Sequence, residues 1–182
     1  MDRSAALVRL LAEDQAEDRA VLAGEPAYAA MRARDRARRE AVTALLAEGW
    51  PEDADALHAA AWILNHGDLS EEAALGSRLA ARAAALGHAG ARWLAAAALD
   101  RSLMYGGLPQ KYGTNIVPDG VGWRLWDVDP ATTDAERLAN DVPTLVEMQA
   151  RAAAITTPQP DTAGAPEWLR SAMRRRGTLP PE

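Results

Sequence analysis

Asp100 and Arg101 stand side by side in AAAALDRSLMYGGLPQKYGTN, at the end of an otherwise apolar run. A charged side chain on a helix face that asks for apolar ones is costly unless it is paired or coordinated. An acid and a guanidinium placed there point to one of two things. They are a structural ion pair, or they move a proton and hold an anion. Asp100 follows Trp93 by seven residues and Arg101 follows Leu94 by seven, so both border one stripe of the helix. The loop after them adds an amide at Gln110, a phenol at Tyr112 and a hydroxyl at Thr114.

The same anomaly recurs in two other segments. Near the start, Asp14 and Asp18 fall on the stripe of Leu7, Leu11 and Leu22, and Arg101 is a natural partner for either. In the middle, His58, Trp62 and His66 recur every four residues, and Asn65-His66 ends that run. His58 and His66 lie two turns apart, about 12 Å along a helix, too far to share one metal ion. His88 follows Gly87 in a turn and is expected to be exposed. The candidate proton-moving groups are therefore His66, Asp100, Asp14 and Tyr112. The candidate substrate-holding groups are Arg101, Gln110, Asp18, Asn65, Trp62 and Thr114. Asp100, Arg101 and His66 are expected to meet beneath the 107–115 loop, with Tyr112 or Gln110 closing over them.

Those residues need elements to position them. The pattern predicts a mainly α fold: one helical bundle of about seven helices, with a β-hairpin or ordered loop after residue 111. Helices are expected over 4–23, 27–48, 52–66, 70–86 and 89–105, broken by Gly24-Glu25-Pro26, by Gly49 with Pro51, by Gly87 and by Gly106-Gly107. Pro118-Asp119-Gly120 between short apolar runs reads as a hairpin turn within 106–130. Thr133 with Glu136 forms a capping box, and 143–154 a further helix. Residues 1–155 make one helical domain; 156–182 add a Pro-rich linker and a short amphipathic helix. Trp168, Leu169, Ala172 and Met173 would dock that helix on its own chain or on a second copy in a homodimer. The Arg-rich stretch 32–39, with Asp35 and then Glu40, reads as a solvated helix face.

Bulk properties narrow the function classes. The chain has 182 residues, 48% of them hydrophobic, enough for a packed core. A net charge of −6 argues against nucleic acid as partner. Cysteine is absent, which removes disulfide and thiol chemistry. No apolar stretch approaches the ~20 residues of a membrane span, and the start lacks the apolar run of a signal peptide. A cytoplasmic protein is expected, with no membrane partner.

One segment resembles a known family. GWP, LNHGD and LDRSLMYGGLPQKYGTN look like an uncharacterised bacterial domain-of-unknown-function family. That family carries Gln-His at a helix end, then Asp-Arg, then Gly-x-x-Gln-x-Tyr-Gly-Thr-Gln. The likeness spans roughly residues 5–155 and runs through Gly49, Trp50, Pro51, His66, Asp100, Arg101, Gly107, Gln110, Tyr112, Gly113 and Thr114, with Asp14-Gln15 also matching. Asn65 and Asn115 stand where the family has Gln, each keeping an amide on a shorter arm. The resemblance implies a shared site and names no activity.

Three classes follow. The first is a cofactor-free enzyme doing acid–base chemistry on a small metabolite: a lyase, cyclase, isomerase or hydrolase. The second is a non-catalytic protein that binds a small molecule or partner, its polar cluster serving only the fold. The third is a metal-dependent hydrolase. His-Glu-x-x-His, P-loop and dinucleotide patterns are absent, and the ligand spacing along any one helix is poor. No metal and no cofactor are expected.

Overall fold

The computed structural model describes residues 2–18, 25–158 and 165–179. Eight helices and two short strands are found among them: α1 (Arg3–Asp18), α2 (Glu25–Ala47), α3 (Ala54–Asn65), α4 (Ser70–Ala85), α5 (Ala91–Tyr105), β1 (Ile116–Pro118), β2 (Trp123–Leu125), α6 (Asp134–Ala139), α7 (Leu145–Ala153) and α8 (Glu167–Arg175). No helix among the described residues is long and apolar enough to cross a membrane.

Helix α3 is apolar nearly all round, and it takes the centre. It packs against α1, α2, α4 and α5. Leu57, Ile63 and Leu64 are fully enclosed, together with Leu7 of α1, Val42 of α2, Leu79 of α4 and Leu94 of α5. Alanine at 59, 60, 61, 80 and 83 lets the helices come close. At Gly76 a methyl group would lie 3.0 Å from the Ala61 carbonyl oxygen. The start of α3 is fixed by Asp53, whose side chain accepts from the Ala56 N–H at 2.8 Å.

The start of α4 is held by Glu72 rather than by a serine cap. Ser70 is its first residue, but its hydroxyl donates to the Ser102 carbonyl of α5 at 3.0 Å. Glu72 instead turns back and accepts from the Asp68 and Leu69 N–H groups. Glu25 and Pro26, expected to break the chain, begin α2; proline's fixed φ and missing N–H are tolerated in a first helical turn. The Thr133–Glu136 capping box forms as expected, and Thr144 with Glu147 makes a second one.

The hairpin forms after residue 111, with Val117 opposite Arg124. Asp119 closes its turn by accepting from the Val121 and Gly122 N–H groups. A second core lies beneath it. Trp126, Met104 and Val117 bury Leu169, Ala172 and Met173 of α8. The tail helix thus docks on its own chain. His88 is a correction: it is not exposed but stacks on His58, ring centroids 3.9 Å apart.

Candidate functional site

The end of α3 organises a polar cluster. A helix leaves its last carbonyl groups without intrahelical partners, and they carry partial negative charge. Here cationic and hydroxyl donors meet them one by one. Arg101 donates to the Asn65 carbonyl. Arg32 and Arg39 of α2 both donate to the His66 carbonyl, at 3.3 and 3.4 Å. The Tyr105 hydroxyl donates to the Gly67 carbonyl at 3.0 Å. Arg32 and Arg39 also pair with Asp68, and Arg39 with Glu72 at 3.2 Å. The run 32–39 is solvated on one face only, with Ala33, Arg34, Arg36 and Ala37 exposed. Asp35, Arg38 and Arg39 are buried because α2 lays them across the end of α3.

Behind this collar lies a cavity of about 370 Å³. Asp14 and Glu17 of α1 form one wall, Met31, Arg32 and Asp35 of α2 another. His66 and Asp68 close it from the end of α3, and Arg101 with Tyr105 from α5. Arg38 ties the first two walls, with Glu17 at 2.6 Å, Asp35 at 2.9 Å and Asp14 at 3.5 Å. Burial raises the Glu17 carboxyl, but its hydrogen bonds to Arg38 and Arg34 outweigh this and hold it below the usual value. The His66 Nδ1 lies 3.4 Å from Asp14 Oδ1. Asp14, Asp35 and His66 each offer one atom able to bind a metal ion, all within 4.8 Å of one another.

Arg101 is the electrostatic exception in the cavity wall. Its guanidinium donates to two neutral oxygens, the Asn65 carbonyl and Asn115 Oδ1, the latter at 3.3 Å. Among the described residues no carboxylate pairs with it. Burial pulls it down from its ordinary value, and the nearby Arg32 adds to this. Tyr105 is pushed up by burial, so its phenol stays protonated at neutral pH.

Of the residues singled out from sequence, the structure brings Asp14, His66 and Arg101 to one cavity. Asp100 is not there. Its carboxylate is fully buried beneath the 110–115 loop and accepts four hydrogen bonds, from the N–H groups of Lys111, Tyr112 and Thr114 and from the Thr114 hydroxyl. Burial raises this carboxyl, against those four bonds that lower it. Gln110, also fully buried, braces the same loop: its amide donates to the Asn115 and Trp126 carbonyls and accepts from the Asn115 N–H. Tyr112 gives its carbonyl to Arg137 and its ring to Lys111. None of residues 107–115 lines the cavity, so the expected lid is a braced loop.

Trp62 packs its ring edge-on to His66, with centroids 6.2 Å apart, and Asn65 contributes only its carbonyl to Arg101. Neither lines the cavity. The Asp18 side chain lies outside the described residues. The Asp14–Arg101 pair does not form; Arg38 and His66 face Asp14 instead. Glu17, Met31, Arg32, Asp35, Asp68 and Tyr105 of the cavity wall, with Arg38 that ties it, are the site residues missed from sequence. A signal was present: stepping back from the buried Leu46 and Val42 by three or four residues reaches Arg39 or Arg38, then Asp35.

Set against protein-family models, curated proteins and solved structures, the chain matches none of them. Its site is read from its own geometry.

Proposed function

We propose that this protein is a small enzyme that binds an anionic metabolite in the α1–α2–α3–α5 cavity and moves a proton there. The observation that carries this is Arg101. A guanidinium on a cavity wall with no carboxylate partner among the described residues is an anchor for a ligand's carboxylate or phosphate. Opposite functional chemistry borders the same space. His66 presents an imidazole whose Nδ1 faces Asp14 Oδ1 at 3.4 Å, and its Nε2 has no hydrogen-bond partner among the described residues. An imidazole oriented by a carboxylate is suited to general acid–base work near neutral pH. Arg101 would hold the anion while the His66–Asp14 edge takes or gives the proton. The reaction type within the lyase, cyclase, isomerase and hydrolase group is set by the substrate.

The test is a panel of small carboxylates and phosphate monoesters, screened by thermal shift and by turnover. Wild-type protein is expected to bind and convert at least one member. Arg101→Lys should weaken binding, because a lysine cannot reproduce the planar fork. His66→Gln should keep binding and lose turnover. Turnover that survives His66→Gln, or binding indifferent to Arg101→Lys, sinks the proposal.

A non-catalytic role is favoured by a different observation. Most of the arginines around the cavity already serve the α3 carbonyls and the Asp68 and Glu72 carboxylates. Binding without conversion in the same screen would be its outcome.

A further inference from the structure

We infer that Asp14, Asp35 and His66 form a site for one divalent transition-metal ion, with Zn²⁺ the best chemical match. The inference rests on the cavity being the reactive centre, and it names what occupies its carboxylate-rich edge. Three helices converge there: α1 supplies Asp14, α2 supplies Asp35 and the end of α3 supplies His66. One imidazole and two carboxylates, with no thiolate in the chain, make an N/O ligand set. Catalytic zinc is commonly held by three such ligands, with the fourth position open to water or substrate. Here the open side faces a cavity of about 370 Å³.

Asp14 supplies the second, independent observation. Its carboxylate is only 4% exposed, yet none of its contacts is a good hydrogen bond. His66 Nδ1 lies at 3.4 Å, Arg38 Nη1 at 3.5 Å and Gln15 Nε2 at 3.5 Å. N–H···O hydrogen bonds fall at about 2.7–3.2 Å, and buried carboxylates ordinarily find them. The 3.4 Å gap is long for a hydrogen bond but suits two ligands of one ion, and Asp35, whose ligand atom lies within 4.8 Å of these, would draw inward on binding. Ligands about 2.0–2.1 Å from a tetrahedral ion stand roughly 3.3–3.4 Å from each other.

Charge agrees with geometry. Asp14, Glu17 and Asp35 face Arg38, Arg34 and Arg32, and Arg32 is shared with Asp68, so five carboxylates counting Asp68 and Glu72 meet the four arginines that pair with them. Arg39 pairs with Asp68 and Glu72, and Arg101 faces the cavity from its other side. Arg38 occupies one oxygen of Asp35 and Arg32 the other, and each carboxylate oxygen keeps a second lone pair for an ion. An ion held there would add a bound water as a second proton-moving group on the His66–Asp14 edge, since zinc-bound water reaches a pKa of about 7. An anion on Arg101 would lie across the cavity from it.

The test uses full-length protein stripped with a chelator, then titrated with ZnCl₂ near pH 7. Isothermal titration should show one equivalent bound. Asp14→Asn and Asp35→Asn, checked for folding by circular dichroism, should each weaken it by more than about 100-fold. A second readout needs no variant: the histidine side-chain resonances of wild-type protein. One equivalent of Zn²⁺ should move those of His66 and leave His58 and His88 in place. No stoichiometric binding, binding unchanged in both variants, or shifts at His58 and His88 instead would each overturn the inference. Turnover that persists in excess chelator and still depends on His66 would overturn it too, while leaving the acid–base proposal standing.

Discussion

Asp100 holds Thr114 twice: its Oδ2 accepts from the Thr114 N–H at 3.0 Å and from the Thr114 hydroxyl at 2.8 Å. Its other oxygen takes the N–H groups of Lys111 and Tyr112, at 2.7 and 2.9 Å. One carboxylate at the end of α5 thereby fixes a loop that contains Gly113 at φ +87°, where a side chain would crowd Leu125 and Val128. The acid that first suggests catalysis is a staple.

Asp100→Asn tests this. The amide keeps the shape but replaces one acceptor oxygen with an NH₂ group that faces donors. Hydrogen bonds to charged groups contribute about 1.5–3 kcal/mol each, and two are at stake. Stability measured by urea unfolding should fall by about 3 kcal/mol. Folded protein should retain whatever ligand binding the cavity has. An unchanged midpoint, or a selective loss of ligand binding, would contradict the staple.

The His58–His88 stack predicts an acid-sensitive fold. Burial pushes His58 down from about 6.5 to about 4; the neighbouring His88 adds to this, and Asp55 opposes it. In the unfolded chain the imidazole takes its proton near the ordinary value, in the folded chain only near 4. Between those values the unfolded state binds more protons, so stability is present at neutral pH and is lost as pH falls from about 6.5 towards about 4. Urea unfolding at pH 7 and at pH 4.5 measures it. His58→Leu should flatten the difference between the two. A difference as steep in the variant as in wild-type protein would assign the effect elsewhere.

Met173 should behave as a core residue of a monomeric contact. It is fully buried with Trp126 and Val117. Met173→Ala is expected to cost about 2–4 kcal/mol, the usual range for a buried side chain of that size. Because α8 docks on its own chain, the melting temperature should not depend on protein concentration. A melting temperature that rises with concentration and loses that dependence in the variant would place α8 against a second copy.

The helices were legible because their apolar periodicity and their punctuation agree. α3 reads as central from composition alone, and Thr133 with Glu136 announces α6. The hairpin was legible in Pro118-Asp119-Gly120. The site was legible only in part. Asp14, His66 and Arg101 stood out as polar residues on apolar stripes, but stripes do not say which helices face one another. Asp100 and Asp14 look alike in sequence; one meets four loop donors and the other borders a cavity. Asp35, Arg38 and Arg39 were hidden by company. In a run of alternating charges, burial is set by the neighbouring helix end that needs donors, and that neighbour is distant in sequence.

The two aspartates should therefore part ways when each is made neutral. Asp14→Asn removes a buried carboxylate whose contacts all lie at 3.4–3.5 Å. Arg38 keeps Glu17 and Asp35, so no cation is left unpaired. Residues kept for function at the expense of stability commonly behave this way. Stability of metal-free protein should change by less than about 1 kcal/mol, or rise, where the Asp100 variant loses about three times as much. Urea unfolding of the two variants side by side, in chelator, gives the comparison. A loss at Asp14 as large as the loss at Asp100 would make Asp14 a structural partner of Arg38 and remove the distinction between staple and site.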